Sequence, residues 1–148
     1  MLRGLNELNL DAKGRMAVPT RYRQELIDSC NGQLVVTVDR DFCLLIYPLP
    51  EWEEVEQKLV KLPTFDARTR NLQRLLIGHA TEVEMDGSGR VLVPPPLRDY
   101  AKLDKKVVLL GQGNKFELWD GQHWNESRQK WLETEDGSLS QDLESLSI

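Results

Sequence analysis

Asp11 and Arg15 stand four residues apart with Gly14 between them, and Asp86 and Arg90 repeat the arrangement around Gly89. Each residue type brings its own chemistry. A carboxylate at the head of a turn can accept hydrogen bonds from backbone N–H groups a few residues on. A glycine before the arginine lets the chain take a positive φ without a Cβ penalty. A guanidinium presents a flat fork of donors that matches a phosphate or the edge of a guanine. Asp11, Gly14, Asp86 and Gly89 are therefore expected to structure two turns. Arg15 and Arg90 have two readings that stand level. They are donors to a nucleic acid, or they form ion pairs folded back on their own turn aspartates, which solvent makes worth little.

These turns belong to a longer repeat. Asp11-Ala12-Lys13-Gly14-Arg15-Met16-Ala17-Val18-Pro19 returns 75 residues on as Asp86-Gly87-Ser88-Gly89-Arg90-Val91-Leu92-Val93-Pro94. Leu8 and Leu10 return at the same offset as Val83 and Met85. A small β unit has open edges and a thin core, and two copies can cover each other. Period-2 alternation puts Met16 and Val18 on one face of the outgoing strand and Arg15 and Ala17 on the other. Pro19 stops that strand because it has no N–H to give a ladder.

Each half then reads as strand, turn, strand, helix, strand, strand, helix. In the first half Thr20 is positioned to cap a helix carrying Tyr22, Leu26, Ile27 and Cys30, ended by Asn31-Gly32. Gln33 to Val38 and Phe42 to Tyr47 form a hairpin, and Pro48-Leu49-Pro50 opens a helix with Trp52, Val55, Leu59 and Leu62 as its apolar stripe. A connecting helix over Asp66 to Ile77 ends at Gly78. The second half has strands at Ala80 to Met85 and Arg90 to Val93, then a short helix from Pro95 to Lys102. A hairpin of Val107 to Leu110 and Lys115 to Trp119 is joined through Gly111-Gln112-Gly113-Asn114, and a last helix runs from His123 to Leu132. The expected units are residues 1–62, a connecting segment 63–78, residues 79–132, and an acidic tail 133–148 that is Ser-rich and flexible in composition. Leu139, Leu143 and Leu146 in that tail have the spacing of a weak amphipathic turn.

The 148 residues carry a net charge of −5, which argues at first sight against a polyanionic partner. Glu133, Glu135, Asp136, Asp142 and Glu144 account for the imbalance, and without them acidic and basic residues are equal in number. Lys13, Arg15, Arg21 and Arg23 fall within eleven residues that hold no acid, and a local patch is what phosphates would meet. No apolar run approaches the roughly 20 residues of a membrane span, and the N-terminus lacks a signal-peptide layout. Cys30 and Cys43 form no CxxC and read as buried apolar residues in a reducing, cytoplasmic compartment. His79 and His123 make no metal-ligand spacing, and the Glu82 and Glu84 near His79 read as a polar surface cluster. No catalytic residues, metal site or cofactor are expected.

The segments Asp11 to Arg15, Val18-Pro19 with Arg21, and the second Asp-x-x-x-Arg at Asp86 to Arg90 resemble the MraZ family. Leu44 to Trp52 and Asn114 to Asp120 extend the resemblance over nearly the whole chain apart from the tail. It implies an α+β fold, a pseudo-twofold β-barrel of two AbrB/SpoVT-like swapped-hairpin repeats with helices packed around it. With both copies on one chain, that barrel is expected to close within the subunit. The resemblance also implies a DNA-binding transcriptional repressor of the division and cell-wall gene cluster, nucleoid-associated, acting as a ring of several subunits on tandem promoter repeats. By position Lys13, Arg15 and Arg90 are the implied DNA contacts, with Arg3 and Arg21 secondary and Arg21 a candidate for the fold instead. Ser88 stands where the first copy has Lys13, so the second turn is less basic. The alternative function is a protein-interaction module acting on a partner such as an rRNA methyltransferase, with Trp52, Trp124 and Trp131 as candidate contacts.

Overall fold

A computed structural model describes residues 1–134 together with Leu143, Ser145 and Leu146. The remainder of the expected tail lies outside the described residues. Among the described residues eight strands and five helices follow in the anticipated order: β1 (Leu2–Asn9), β2 (Arg15–Ala17), α1 (Thr20–Cys30), β3 (Gln33–Val38), β4 (Leu44–Pro48), α2 (Leu49–Val60), α3 (Ala67–Leu76), β5 (Thr81–Glu84), β6 (Arg90–Leu92), α4 (Pro95–Tyr100), β7 (Lys106–Gly113), β8 (Phe116–Asp120) and α5 (Gly121–Glu133).

The strands pair across the repeat boundary. β1 of the first copy lies against β7 of the second, β5 of the second lies against β3 of the first, and β2 pairs with β6, all antiparallel. The result is a six-stranded sheet in the order β1-β7-β8-β4-β3-β5 and a separate two-stranded ribbon, β2-β6. The two copies therefore exchange strands within one chain. The expected closed barrel is not formed: among the described residues the ladder ends at edge strands β1 and β5. The chain turns away from each edge at Asp11 and Asp86, and the ribbon strands are three residues long, stopped by Pro19 and Pro94. Single hydrogen bonds extend the two edge ladders by one residue before the chain leaves them, from Leu10 N–H to the Lys105 carbonyl (2.8 Å) beside β1-β7 and from Met85 N–H to the Gly32 carbonyl (2.8 Å) beside β3-β5.

Both faces of the sheet are covered, which is why β3 and β4 read as nearly unbroken apolar runs. On one face Leu34, Val36, Leu44, Ile46, Leu109 and Phe116 pack against Tyr22 and Leu26 of α1, Leu97 of α4, and Met16, Val18, Val91 and Val93 of the ribbon segments. On the other, Val35, Leu45 and Tyr47 meet Trp52 and Leu59 of α2, while Cys43, Val108 and Trp119 meet Trp124 of α5. Thr37 is buried on that second face, and its hydroxyl donates to the Leu76 carbonyl at 2.6 Å, tying β3 to the end of α3.

Several expectations need correction. Thr20 is not a cap: Pro19 holds the N-cap position of α1, without a side-chain bond, and Thr20 is the first helical residue. Ile27 faces solvent although Leu26 beside it is buried, and Cys30 is only half-buried. Gly111 to Gly113 are strand rather than loop, because Leu2, Arg3 and Gly4 pair with Gly113, Gln112 and Gly111. Trp131, expected on one side of α5 with Trp124, does sit edge-on to it and to Trp119, yet stays half exposed.

At Gly111 the backbones of the exchanged strands β1 and β7 approach closely. A Cβ there would lie 2.7 Å from the Arg3 Cα and nearer still to its backbone nitrogen. Gly111→Ala should therefore destabilise the protein by about 1–3 kcal/mol through overpacking. Urea unfolding measures this, with faster hydrogen exchange along β1 as the local signature.

Candidate nucleic-acid interface

Both turns fold by one hydrogen-bond pattern. Asp11 Oδ1 accepts from the backbone N–H of Lys13 (2.9 Å) and of Arg15 (2.8 Å), and Asp86 Oδ1 accepts from Ser88 (2.9 Å) and Arg90 (2.9 Å). The turn backbone closes through Gly14 N–H to the Asp11 carbonyl (3.0 Å) and Gly89 N–H to the Asp86 carbonyl (2.9 Å). Gly14 and Gly89 have φ of 83° and 77°, the left-handed conformation glycine adopts at no steric cost. The N–H groups on Asp11, that of Arg15 foremost, hold its carboxyl down at about 2, and the same contacts lower Asp86.

The arginines combine the two readings that the sequence left level. Arg15 Nε donates to Asp11 Oδ2 at 2.8 Å, and Arg90 Nε donates to Asp86 Oδ2 at 3.1 Å. Each ion pair uses one edge of the guanidinium. Among the described residues the terminal Nη groups have no further partner, and the side chains remain 30% and 39% exposed. The aspartate thus orients the fork while leaving donors for a ligand.

The ribbon register puts the two arginines on one face. Arg15 lies opposite Leu92 and Ala17 opposite Arg90, whereas Met16 and Val91 are paired on the buried side. Arg15 and Arg90 are diagonal neighbours, roughly 7–8 Å apart in such a ladder. The outer surface therefore shows two guanidinia with exposed Ala17 and Leu92 between them. The turns are locked to one another by reciprocal hydrogen bonds, Val18 N–H to the Gly89 carbonyl (2.8 Å) and Val93 N–H to the Gly14 carbonyl (3.0 Å).

The other anticipated contacts are placed differently. Lys13 is exposed at the first turn. Arg3 is exposed opposite Gln112, eight residues before Asp11 along β1. That is roughly 26 Å of extended strand, so Arg3 does not share the turn surface. Arg21 donates to Asn6 Oδ1 and lies 4.8 Å over the Tyr22 ring, fastening α1 to β1. Two arginines that the sequence reading did not assign to the turns are found there. Arg23 of α1 packs on Gly89 of the second turn, and Arg98 of α4 packs on Gly14 of the first. They are themselves a repeat pair, 75 residues apart. Extending the offset past the prolines would have revealed them.

Among the described residues no group of three or more His, Cys, Asp or Glu side chains is placed to hold a metal ion. No helix among them is long and apolar enough to cross a membrane.

A duplicated α+β chain with interlocked, arginine-bearing turns on one ribbon is a two-repeat protein whose halves act as one unit. The family described as MraZ protein matches residues 1–75 and again residues 76–143, and the chain belongs to that family. "Transcriptional regulator MraZ" of Thioalkalivibrio sulfidiphilus is 62% identical over 150 residues, covering 100% of each chain. The protein of that name from Methylococcus capsulatus is 65% identical over 133 residues, 90% of this chain and 88% of its own. That from Pseudomonas aeruginosa is 60% identical over 126 residues, 84% of this chain and 83% of its own. A transcriptional regulator's role is non-enzymatic, in agreement with the sequence reading against catalysis.

The turn carboxylates set an acid limit. Because the folded-state value of Asp11 lies below its ordinary 3.8, its contribution to stability is complete above that ordinary value and is lost as pH falls through about 2. An NMR titration of the folded protein should give a midpoint near about 2 for Asp11. A midpoint at 3.8 or above would mean that the turn N–H groups do not hold the carboxylate.

Proposed function

We propose that the protein is a sequence-specific DNA-binding repressor whose β2-β6 ribbon enters the major groove. The observation that carries this reading is the placement of Arg15 and Arg90 on one exposed ribbon face, each pre-oriented by its own aspartate. A two-stranded ribbon fits the roughly 12 Å width of the groove, and a guanidinium fork pairs with the O6/N7 edge of guanine. Arg15 and Arg90 take that part, while Lys13 at the turn reaches phosphate as a point charge. The regulator's name carried by the relatives supports a promoter as the target.

The fold reads as two AbrB-like swapped-hairpin repeats, and the target as the promoter of the division and cell-wall gene cluster. The working form is a ring of several subunits in the cytoplasm, associated with the nucleoid. One subunit offers few phosphate contacts, so affinity is built by several subunits engaging tandem promoter repeats at high effective concentration. A protein partner is compatible with this reading, since the half-exposed Trp131 packs on Trp119 and Trp124, whose cluster is separate from the one that holds the ribbon.

Footprinting on the duplex upstream of the chain's own gene tests the proposal. Arg15→Ala should weaken binding by about 1–3 kcal/mol and relax preference at one base position. Its thermal midpoint should change little, since an exposed ion pair is worth roughly 0–1 kcal/mol. A duplex with several repeats should bind far more tightly than one with a single repeat, and raising salt should weaken both. Wild-type protein that shows no sequence preference at low salt would leave the protein-interaction module as the better reading.

A further inference from the structure

Arg98 has an unusual environment. Its guanidinium lies flat against Gly14: a Cβ on that glycine would be 2.7 Å from Arg98 Nε and closer to Cζ and Nη1. Gly14 is itself buried by this contact. Arg98 Nε is fully buried and has no hydrogen-bond partner, the one such side-chain atom among the described residues. No carboxylate among them pairs with this guanidinium. The repeat-equivalent Arg23 makes the same approach to Gly89, but its Nε donates to the Val18 carbonyl at 2.7 Å. The matching bond from Arg98 to the Val93 carbonyl is absent. The Nη groups of this half-buried cation keep accessible surface and have no partner among the described residues, so an anion arriving from outside the chain can meet them although it cannot reach the buried Nε.

The surroundings fit a phosphate. Lys13 and Arg15 stand on the same turn as Gly14, and the only acid within the turn, Asp11, is already engaged by Arg15. The first turn thus gathers three cations against one carboxylate. The second gathers Arg90 and Arg23 against Asp86, with Ser88 in place of the lysine.

We infer that Arg98 is a phosphate-binding residue of the first turn, supplied by the opposite repeat, so that the stronger DNA-backbone site is a composite of both halves. This rests on the DNA reading above. Lys13 and Arg98 take a phosphodiester beside the groove that Arg15 reads. Gly14 is required because any side chain would push the Arg98 guanidinium away from the turn. The second turn, with Arg23 held by a main-chain carbonyl, contributes less to the backbone term.

Fluorescence anisotropy with the full chain tests this, using the duplex from upstream of its own gene and an unrelated duplex of equal length, across a salt series. Arg98→Met should weaken binding to both duplexes by about tenfold while leaving their ratio unchanged, as expected for a contact that carries no sequence information. The slope of log affinity against log salt should fall by about 0.9 for each engaged turn. Arg98→Lys keeps the charge without the flat group and should retain the wild-type slope, a rescue that a packing role would not give. Should Arg98→Met fail to fold, Arg98→Gln takes its place with the same expectations. A folded Met or Gln variant with wild-type slope and affinity overturns the inference. Where that silent Arg98 variant is found while Arg15→Ala still weakens binding, the role of Arg98 alone is overturned and the DNA reading stands. Wild-type protein that binds neither duplex overturns both this inference and the DNA reading beneath it.

Discussion

Neither half of this chain can complete its own sheet. β5 finds its hydrogen-bonding neighbour on β3, β1 finds its neighbour on β7, and the ribbon exists only because β2 and β6 meet. Backbone N–H and C=O groups left unpaired in a buried sheet are expensive, so strand exchange is a condition of folding rather than an ornament of it. The apolar face of the ribbon enforces the same condition, since Met16 and Val91 close over a core drawn from both repeats. One consequence is geometric: two turns that began as copies are held in a fixed relation on a rigid element, where a pair of arginines can be aimed together. Another is that the first turn borrows a cation from the second repeat and the second turn borrows one from the first.

The aspartate in each turn has two functions that need not conflict. By accepting two backbone N–H groups it fixes the loop conformation, and by accepting from Nε it fixes the guanidinium plane. The pair is exposed, and its Coulomb energy in water is small. What it supplies is orientation, so that less side-chain freedom is lost when the Nη groups meet a ligand. An ion pair and a binding residue are therefore compatible descriptions of Arg15, and likewise of Arg90. The two readings of each arginine diverge only if the pair consumes the whole guanidinium fork, which it does not.

The order of elements was legible because the signals were local. Proline ended the ribbon strands and opened α2, glycine marked the turns, and the spacing of Trp52, Val55 and Leu59 matched a helix face. What could not be read depended on partners distant in sequence. Gly111-Gln112-Gly113 has the composition of a loop and becomes strand only by pairing with Leu2 to Gly4. Barrel closure was expected from the resemblance, yet whether a ladder closes depends on edges that no single segment describes. Of the five anticipated DNA contacts, Lys13, Arg15 and Arg90 share the turns, whereas Arg3 lies along β1 and Arg21 is fastened to Asn6. The sequence shows that a residue is cationic; the strand exchange decides which cations become neighbours. Arg98 illustrates the gap, because Pro95-Pro96-Leu97 scarcely resembles Thr20-Arg21-Tyr22 and hides the correspondence with Arg23.

For an acidic chain, the proposed binding of a polyanion is a question of distance rather than of total charge. At physiological salt the field of an exposed charge fades over about 8 Å, so phosphates at the ribbon feel the turns and little of the far surface. Within that radius the first turn gathers Lys13, Arg15 and Arg98 against Asp11, and the net −5 of the whole chain is of small account. The same screening limits how strongly one subunit can hold DNA, since few cations lie within reach of the backbone. Under the proposed function, affinity comes from presenting the ribbon several times, not from making any one copy more basic. That is the physical link between a locally basic turn, an acidic chain and the proposed action on repeated sites.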